Sequence, residues 1–456
     1  MTQKPDNQTP SNSLEGDAIV NNPKQSTVMQ SYAVMRWTLV ALLFFAGAIS
    51  YMDRVAISVA APIIAREMHL DAAQLGLVFS TFFVGYAAFC FVGGWGSDRI
   101  GPRRVLLIAV LGWSVFCGMT ALAVGFTSLL VIRAIFGLFE GPFNSTANKT
   151  IGNWFSQREQ GTALGLANCG MPLGAAAAGP IVGYVAADYS WQTAFLLIAA
   201  FGLVWVAGWA LVSADHPSKH PRIRKQELVE ISAEQDHLDS LGDAPLRAYM
   251  LRPLTLATAF AFFGYAYLLY FFLAWFPSYL TMQEHLSIKN MAIVGMIPWL
   301  FGALGFGLGG GLSDLIFKWT GNALFARKIV LVGGLLTAAI CVGLAGIFPG
   351  VDAAVALMAV SVFSMYLTGS TYFAIILDSV NRRKVGGVTG FIHALANTAG
   401  ILAPMITGFI VQDTGRFESA FILAGTIALL GALGVAIFVR PERVAPRAVP
   451  RTAHGA

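Results

Sequence analysis

Residues 94–104 read GWGSDRIGPRR and lie between two long apolar runs of the chain. The pattern is G-x-x-x-D-R-x-G-x-R-R, in which the glycines allow a tight turn and close contact between helices. Its acidic residue can meet an arginine or a helix N-terminus on a neighbouring segment. A short basic loop beside a membrane would account for the charges, but the full pattern is more specific than that. We expect this loop motif to act as a cytoplasmic gate through Gly94, Asp98, Arg99, Gly101, Arg103 and Arg104, with Asp314 in the related stretch GGLSD.

The composition of the whole chain is typical of a membrane protein. Apolar residues make up 56% of it and charged residues only 12%, whereas a soluble domain has about 25% charged residues. A helix needs about 20 mostly apolar residues to cross the bilayer. By this criterion we predict an all-α membrane protein with twelve transmembrane helices, called spans 1–12 in chain order, near residues 35–61, 74–97, 104–124, 127–150, 160–186, 191–213, 252–281, 288–315, 327–348, 351–380, 385–411 and 417–439.

The basic residues predict the orientation of these spans. Of the 29 Lys and Arg residues, 24 fall in segments on the same side as the N-terminal tail, and three (Arg66, Lys289 and Arg416) fall in loops on the other side. Positive charge marks the cytoplasmic side, so both termini should be cytoplasmic. This bias also accounts for the net charge of +5 without a nucleic-acid partner. With its short loops and no targeting sequence, we expect a multi-pass protein of a bacterial inner membrane.

The chain divides into two halves of six spans. REQGTALG, from Arg158, and RKVGGVTG, from Arg383, occupy corresponding places in the two halves. An internal duplication explains this better than chance similarity between glycine-rich helices, and duplicated halves often hold a substrate site between them and move by rocking. We predict a disordered cytoplasmic tail (1–33), a six-helix bundle (34–213), a cytoplasmic linker (214–251), a second six-helix bundle (252–440) and a cytoplasmic tail (441–456).

Four ionisable residues lie deep within spans of the first half. Asp53 and Arg54 belong to YMDR in span 1, and Arg133 and Glu140 lie seven residues apart in span 4, on one face of its helix. Each charge costs about 2.5–3.5 kcal/mol at the centre of a membrane helix. Two salt bridges could simply lock spans 1 and 4 together. Since buried ion pairs are often no more stabilising than apolar packing, we interpret the four residues as functional.

These charges suggest a coupling between a proton and an anion. Arginine binds a carboxylate through two parallel hydrogen bonds. Protonation of Asp53 or Glu140 would free an arginine for an organic anion, so that proton and anion would favour each other's binding. The sequence contains no phosphate-binding loop, no nucleophile motif and no metal-ligand spacing, and its four cysteines lie within spans. We therefore expect neither an enzyme nor a bound metal or cofactor, and a proton gradient as the source of energy.

Over essentially its whole length the chain resembles the major facilitator superfamily, of which the loop motif is the signature. Within that superfamily it is similar to the anion:cation symporter family. The similarity lies in YMDR (51–54), the pair Arg133 and Glu140, WFSQREQGTALG (154–165) and NTAGILAP (397–404). The resemblance implies two pseudo-symmetric six-helix bundles. It also implies uptake of a small organic anion with protons by alternating access, most simply of a sugar acid such as a hexonate, hexuronate or aldarate.

The resemblance also implies roles for individual residues. Arg54 would contact the substrate carboxylate, Glu140 would be the main proton-coupling site and Asp53 a second one, and Arg133 would pair with Asp53 and shape the site. His393 is either a hydrogen-bonded structural residue or a proton carrier. The other substrate-binding candidates are Tyr51, Tyr86, Asn397 for a sugar hydroxyl, Met171 where several sugar-acid members have Gln, and Tyr372 where they have Trp.

Several alternatives stay open at this point. The departures at Met171 and Tyr372 allow an aromatic or short-chain carboxylate as substrate. The aromatic cluster of span 7, which includes Tyr270, could line a cavity or face lipid. Proton-coupled export of drugs or other solutes and a non-transporting sensor on the same scaffold are the alternative functions. Two buried arginines argue against a cationic substrate. The expected partners are a small organic anion, protons and the lipid bilayer, with the protein a monomer.

Overall fold

The computed structural model describes residues 23–155, 157–219, 245–348, 350–380 and 382–439. Within these ranges twelve helical segments are long and apolar enough to cross a membrane, which confirms the predicted all-α membrane fold. Spans 1–6 consist of the helices Pro23–Glu67, Ala72–Ile100, Pro102–Thr120, Phe126–Glu140 followed by Phe143–Trp154, Gln157–Asp188, and Trp191–Val212. Spans 7–12 consist of Pro253–Met282, Ile288–Val294 followed by Ile297–Thr320, Ala323–Ala345, Val351–Leu367 followed by Thr371–Ser379, Arg382–Thr414, and Glu418–Phe438.

The segments outside the spans are described only in part. The helix of span 1 begins at Pro23, so its first turns overlap the tail predicted for residues 1–33. Between the halves, a short 3₁₀ helix (Pro217–Lys219) and an α-helix (Leu246–Met250) flank the predicted linker. Residues 1–22, 220–244 and 440–456 lie outside the described residues. The disorder predicted for the N-terminal tail therefore stays a prediction, and so do the cytoplasmic positions of both tails and of the linker.

A break in span 4 determines where Glu140 lies. The first helix of this span ends at Glu140, and the second begins at Phe143 after Gly141 and Pro142. Proline has no backbone N–H, so Pro142 cannot continue the ladder of helical hydrogen bonds. The acidic side chain therefore projects from the last turn of a helix that ends inside the molecule, where it is fully buried.

Glycines bring spans 2 and 4 into backbone contact. Neither Gly85 of span 2 nor Gly137 of span 4 has room for a Cβ, because the backbone of the facing helix lies against each of them. Small residues allow this approach between membrane helices, where close packing replaces the hydrophobic effect as the source of attraction. The contact places Arg133 beside the Phe82 ring of span 2.

The loop motif forms a tight turn between spans 2 and 3, as the sequence predicted. Gly101 ends the helix of span 2 with a φ of +89°, a conformation that favours glycine, and Pro102 begins the next helix. The backbone N–H of Arg103 donates to Asp215 Oδ1 at 3.0 Å, and its Nη2 donates to the Ala210 carbonyl at 2.7 Å. These contacts attach the loop to the end of span 6.

The other residues of the motif are spread along the same edge of the molecule. Arg99 lies over the Trp95 ring at 4.3 Å, and Arg104 is exposed. Gly94 is half-buried beside Ser145 of span 4. Asp314, in the second half, is exposed as well. The side chain of Asp98 lies outside the described residues, so the gate function of the motif stays a prediction.

The two halves meet at the end of the bundle opposite the loop motif. Gly76, near the start of span 2, faces Gly408 of span 11, and a Cβ on Gly76 would lie 2.7 Å from the Pro404 carbonyl oxygen. Lys289, in the first turn of span 8, forms an ion pair with Asp188 at the end of span 5. Both contacts join the first half to the second, so the molecule is closed at this end.

Candidate functional site

An ion pair between Arg54 of span 1 and Glu140 of span 4 is the centre of the candidate site. The Arg54 side chain is 5% exposed and that of Glu140 is 0% exposed. Nε and Nη2 of Arg54 lie 2.7 and 2.6 Å from the same carboxylate oxygen, Oε1. Ser50, one helical turn before Arg54, donates to that oxygen as well, at 2.5 Å. Nothing in the sequence pattern singles out Ser50, because a serine within a span carries no charge.

The donors around Glu140 are distributed unevenly between its two oxygens. Oε1 accepts hydrogen bonds from Ser50 and from Arg54 Nε, and Arg54 Nη2 forms an ion pair with it, whereas the buried Oε2 accepts none from the residues that the structure describes. A buried polar atom without a partner is costly, roughly 1–3 kcal/mol. Oε2 is therefore an acceptor oxygen that could take a further hydrogen bond.

Aromatic rings surround the guanidinium group of Arg54. Its carbon atom lies 4.6 Å from the ring centre of Tyr86, 5.1 Å from Tyr51, 5.2 Å from Phe82 and 5.9 Å from Phe83. Such contacts stabilise a desolvated cation by up to about 2 kcal/mol each. Tyr51 and Tyr86, both predicted site residues, are thus brought directly to Arg54. The Tyr86 hydroxyl in turn accepts a hydrogen bond from Asn144 Nδ2 at 2.9 Å, a contact that sequence reasoning missed.

Asp53 and Arg133 lie close to this pair, but the pairing that the resemblance implied is not seen. Asp53 Oδ1 accepts a hydrogen bond from the Cys117 thiol of span 3 at 3.1 Å. Arg133 lies over the rings of Phe82 and Phe136, at 4.9 and 5.1 Å. Among the described residues no ion pair joins Arg133 to Asp53, and both Asp53 Oδ2 and Arg133 Nε are buried without a partner.

Helix geometry explains why Asp53 and Arg54 have different surroundings. Consecutive residues of an α-helix point about 100° apart, since one turn takes 3.6 residues. Arg54 faces span 4 and the seam between the halves, so Asp53 faces span 3 instead. The sequence established that both charges are buried, but not which of them faces the other half of the molecule.

The second half contributes Tyr270 of span 7 and Asn397 of span 11 to the site. The Tyr270 hydroxyl donates to Asn397 Oδ1 at 2.7 Å, and its ring lies 4.2 Å from that of Phe83 in span 2. A cavity of about 20 Å³ lies at this seam. It has room for a single water molecule, not for a larger solute. The residues that line it are Arg54, Ile57, Phe79, Phe82, Phe83, Arg133, Tyr270, Leu273 and Ala274.

The remaining predicted residues lie apart from the arginines. Tyr372 is buried, and its hydroxyl accepts a hydrogen bond from Thr368 at 3.2 Å. His393 is half-buried and stacks on the Phe373 ring at 5.0 Å, and both alternatives for this histidine stay predictions. Met171 is half-buried and packs against span 1. None of these predicted residues lines the cavity beside the arginines in the described part of the chain.

Comparison with protein families agrees with this architecture. The family model of the Major Facilitator Superfamily matches residues 43–373 and 315–455. The chain belongs to the major facilitator superfamily. This confirms the predicted fold and superfamily. Members of this superfamily are transporters, which confirms the prediction that the chain is not an enzyme.

Two curated relatives match this facilitator along most of its length. The hexuronate transporter of Bacillus subtilis (strain 168) is 46% identical over 405 residues, which are 88% of this chain and 94% of the relative. The probable sulfoacetate transporter SauU of Cupriavidus necator is 35% identical over 407 residues, which are 88% of this chain and 93% of the relative. Both relatives are named as transporters of organic anions.

A solved structure shares the fold. It is the crystal structure of a bacterial homolog to the human lysosomal transporter Spinster, in an inward-facing and occupied conformation. The TM-score is 0.66, with 17% sequence identity over 89% of this chain and 95% of the other. At this identity the likeness concerns the fold alone.

Proposed function

We propose that this facilitator imports a hexuronate, or a closely related sugar acid, together with protons. The buried pair of Arg54 and Glu140, beside a cavity between the two halves, is the observation that carries the proposal. The relative with 46% identity is named for hexuronate, which supports this substrate. The relative with 35% identity is named for sulfoacetate, a much smaller molecule, so the feature common to both substrates is their negative charge.

An incoming carboxylate would compete with Glu140 for the guanidinium group of Arg54. Both Arg54 donors in this pair engage one oxygen of Glu140, and the other oxygen, Oε2, has no donor among the described residues. A proton on Oε2 would neutralise Glu140 and release Arg54 to hold the substrate through two parallel hydrogen bonds. Each of the two ligands would then favour binding of the other, which is the reciprocal coupling that symport requires.

Arg133 gives the cavity a second positive charge. It lines the cavity with Arg54, and no carboxylate of the described residues forms an ion pair with it. Juxtaposed like charges cost several kcal/mol across a binding interface, so a cationic solute would be rejected. This supports uptake of an anion over the alternative of cation export.

The contacts between the halves suit alternating access. They include Gly76 against Gly408 and the pair of Asp188 with Lys289, all at the end opposite the loop motif. In the orientation we propose, with both termini cytoplasmic in a bacterial inner membrane, this is the outer end. The substrate path would then open on the cytoplasmic side in this state, and rocking of the halves would open the other side.

Uptake into proteoliposomes tests the proposal. The purified chain is reconstituted, and accumulation of radiolabelled glucuronate is measured with and without an imposed pH gradient that is acidic outside. We expect accumulation above the external concentration only with the gradient, with competition by galacturonate and none by glucose. Uptake that ignores the gradient would contradict proton coupling, binding without transport would indicate a sensor, and neither binding nor uptake would exclude hexuronates.

A further inference from the structure

Cys117 of span 3 carries a buried thiol that the proton and anion chemistry above does not use. The residue is 2% exposed, and its thiol donates a hydrogen bond to Asp53 Oδ1 at 3.1 Å. Asp53, the predicted second proton-coupling residue, is 1% exposed, and its other oxygen accepts no hydrogen bond from the described residues. Among those residues the thiol is therefore the one hydrogen-bond donor to this carboxyl group.

The packing of spans 3 and 6 fixes the position of this thiol. Ser114, one turn before Cys117, lies so close to Gly202 of span 6 that a Cβ on the glycine would overlap Ser114 Oγ. Small residues allow this close contact between membrane helices. The thiol thus reaches Asp53 from a closely packed pair of helices, so it can orient the carboxyl group.

The thiol has a second acceptor within reach. The backbone carbonyl oxygen of Phe195 in span 6 lies 3.7 Å from Cys117 Sγ. A thiol carries one hydrogen and is a weak donor, so it favours one acceptor at a time. If Asp53 turned away, the hydrogen could go to this carbonyl, and the buried donor would not be left without a partner. The contact with Asp53 can therefore break and form again while the helices stay in place.

Charged groups from two spans also interact with the Asp53 carboxyl group. They are Arg54 of span 1 and Arg133 and Glu140 of span 4. Arg54 is paired with Glu140, and among the described residues Arg133 forms no ion pair with Asp53. Because no cation of these residues binds Asp53 directly, the hydrogen bond from the thiol is the direct polar contact that bears on its charge.

We propose that Cys117 is a positioning residue for proton uptake at Asp53: its thiol orients the carboxyl group and, through the hydrogen bond to Oδ1, sets the pH at which Asp53 takes up a proton. The inference rests on the proposed function, which couples transport to protons. A hydrogen bond donated to a carboxylate favours its ionised form. A stronger donor at position 117 therefore makes proton uptake harder, and loss of the donor makes it easier.

Infrared spectroscopy of the purified full-length protein, without substrate, tests this inference. The C=O band of protonated carboxyl groups is followed against pH, and the band that disappears in Asp53→Asn is assigned to Asp53. In Cys117→Ala we expect the midpoint of this titration to rise by about one pH unit, roughly a tenfold change in proton affinity, for the loss of one hydrogen bond. In Cys117→Ser it should fall, since a hydroxyl is a stronger donor than a thiol.

The thiol itself supplies a second signal. The chain has four cysteines, and replacement of Cys90, Cys169 and Cys341 by alanine leaves Cys117 as the one S–H group. Its S–H stretching band should shift with the same midpoint as the C=O band of Asp53, because a neutral carboxyl group is a weaker acceptor than a carboxylate. A cysteine with only a packing role would show no such shift.

Cys169→Ala is the matched control. Cys169 is half-buried in span 5, and no interaction of the described residues joins it to Asp53, so this variant should keep the wild-type midpoint. A Cys117→Ala protein that is folded by thermal melting and keeps the wild-type midpoint would overturn the inference. A midpoint that falls would do the same, because pairing with Arg133 would then control the charge of Asp53. Cys117→Ser, nearly the same size as the wild type, keeps the test available if the alanine variant does not fold.

Transport is measured in parallel on the same proteins. In proteoliposomes the pH of half-maximal glucuronate uptake should shift in the same direction as the infrared midpoint, upwards in Cys117→Ala and downwards in Cys117→Ser. A wild type without proton-driven uptake would overturn the proposed function, and with it a role of Cys117 in transport. An infrared midpoint that is unchanged in Cys117→Ala would overturn this inference alone, since that measurement needs neither substrate nor a gradient.

Discussion

Arg54 and Glu140 are joined through one carboxylate oxygen: Nε of the arginine donates to Oε1 of the glutamate at 2.7 Å, and Nη2 lies 2.6 Å from the same oxygen, whereas Oε2 accepts nothing from the described residues. In a bidentate pair, each of the two carboxylate oxygens would accept one hydrogen bond from the guanidinium group. The pair seen here instead leaves Oε2 without a donor among the described residues. The ion pair also joins span 1 to the helix of span 4 that ends at Glu140, so breaking it would change the contact between the two spans.

The first prediction concerns the charge of Glu140. Glu140→Gln removes the group that would take up the proton, while the amide oxygen can still accept from Arg54. We expect exchange of labelled for unlabelled hexuronate across the membrane to persist and accumulation driven by a pH gradient to be lost. Counterflow and gradient-driven uptake in proteoliposomes measure the two properties separately. Full accumulation by this variant would show that Glu140 is not an essential coupling site.

The second prediction concerns Ser50, which donates to Glu140 Oε1 at 2.5 Å. A hydrogen bond to a charged group contributes about 1.5–3 kcal/mol, so Ser50→Ala should destabilise the protein by about that amount. Ser58 is the control, because it is equally buried on the same helix but donates to the Val55 carbonyl. Ser58→Ala should cost less, about 1 kcal/mol. Denaturant unfolding in detergent measures the free energy of unfolding of both variants. An equal loss in the two would show that the hydrogen bond to Glu140 contributes no more stability than one to a backbone carbonyl.

Hydrophobicity predicted the spans because the bilayer requires a long apolar run for each crossing. The break in span 4 was less visible: Pro142 is apparent in the sequence, but only the structure shows that Glu140 ends a helix there. The sequence also indicated that four charged residues lie deep within the spans, namely Asp53, Arg54, Arg133 and Glu140. Their partners were not apparent, because pairing depends on which face of each helix meets which neighbour.

Uncharged polar residues were the ones that sequence reasoning missed. Ser50 donates a hydrogen bond to Glu140, and Asn144 donates one to Tyr86. Serine and asparagine are common within spans, so their presence in the sequence does not indicate a functional site. Tyr270 was one of several aromatic residues in span 7, and neighbouring tyrosines look alike until the packing is known. Its hydrogen bond to Asn397 joins residues far apart in the chain, which no local pattern indicates.

The third prediction concerns the backbone contact at the closed end. A Cβ on Gly76 would lie 2.7 Å from the Pro404 carbonyl oxygen, closer than such atoms approach, so Gly76→Leu should force spans 2 and 11 apart. We expect spin labels at His69 and Arg416, in the loops of that end, to move apart, and gradient-driven uptake to fall. Gly310→Leu is the control, because nothing lies within 4 Å of a Cβ there. An unchanged label distance in Gly76→Leu would show that this contact does not hold the halves together.

The fourth prediction concerns the ion pair of Asp188 and Lys289, which joins the halves at the same end. Their side chains are 48% and 46% exposed, so the pair should contribute no more than about 1 kcal/mol to closure. Lys289→Asp places two like charges together and should increase the distance between the same spin labels. The exchange of both charges, Asp188→Lys with Lys289→Asp, should restore it.

Salt distinguishes this effect from a loss of packing. Screening at about 1 M salt shortens the reach of exposed charges to about 3 Å, so the effect of Lys289→Asp should largely disappear there. Gly76→Leu acts through a steric clash and should be insensitive to salt, which makes it the internal reference. A Lys289→Asp displacement that persists at high salt, or that the exchanged pair does not reverse, would mean that packing of Gly76 and Gly408 closes this end without help from the charges.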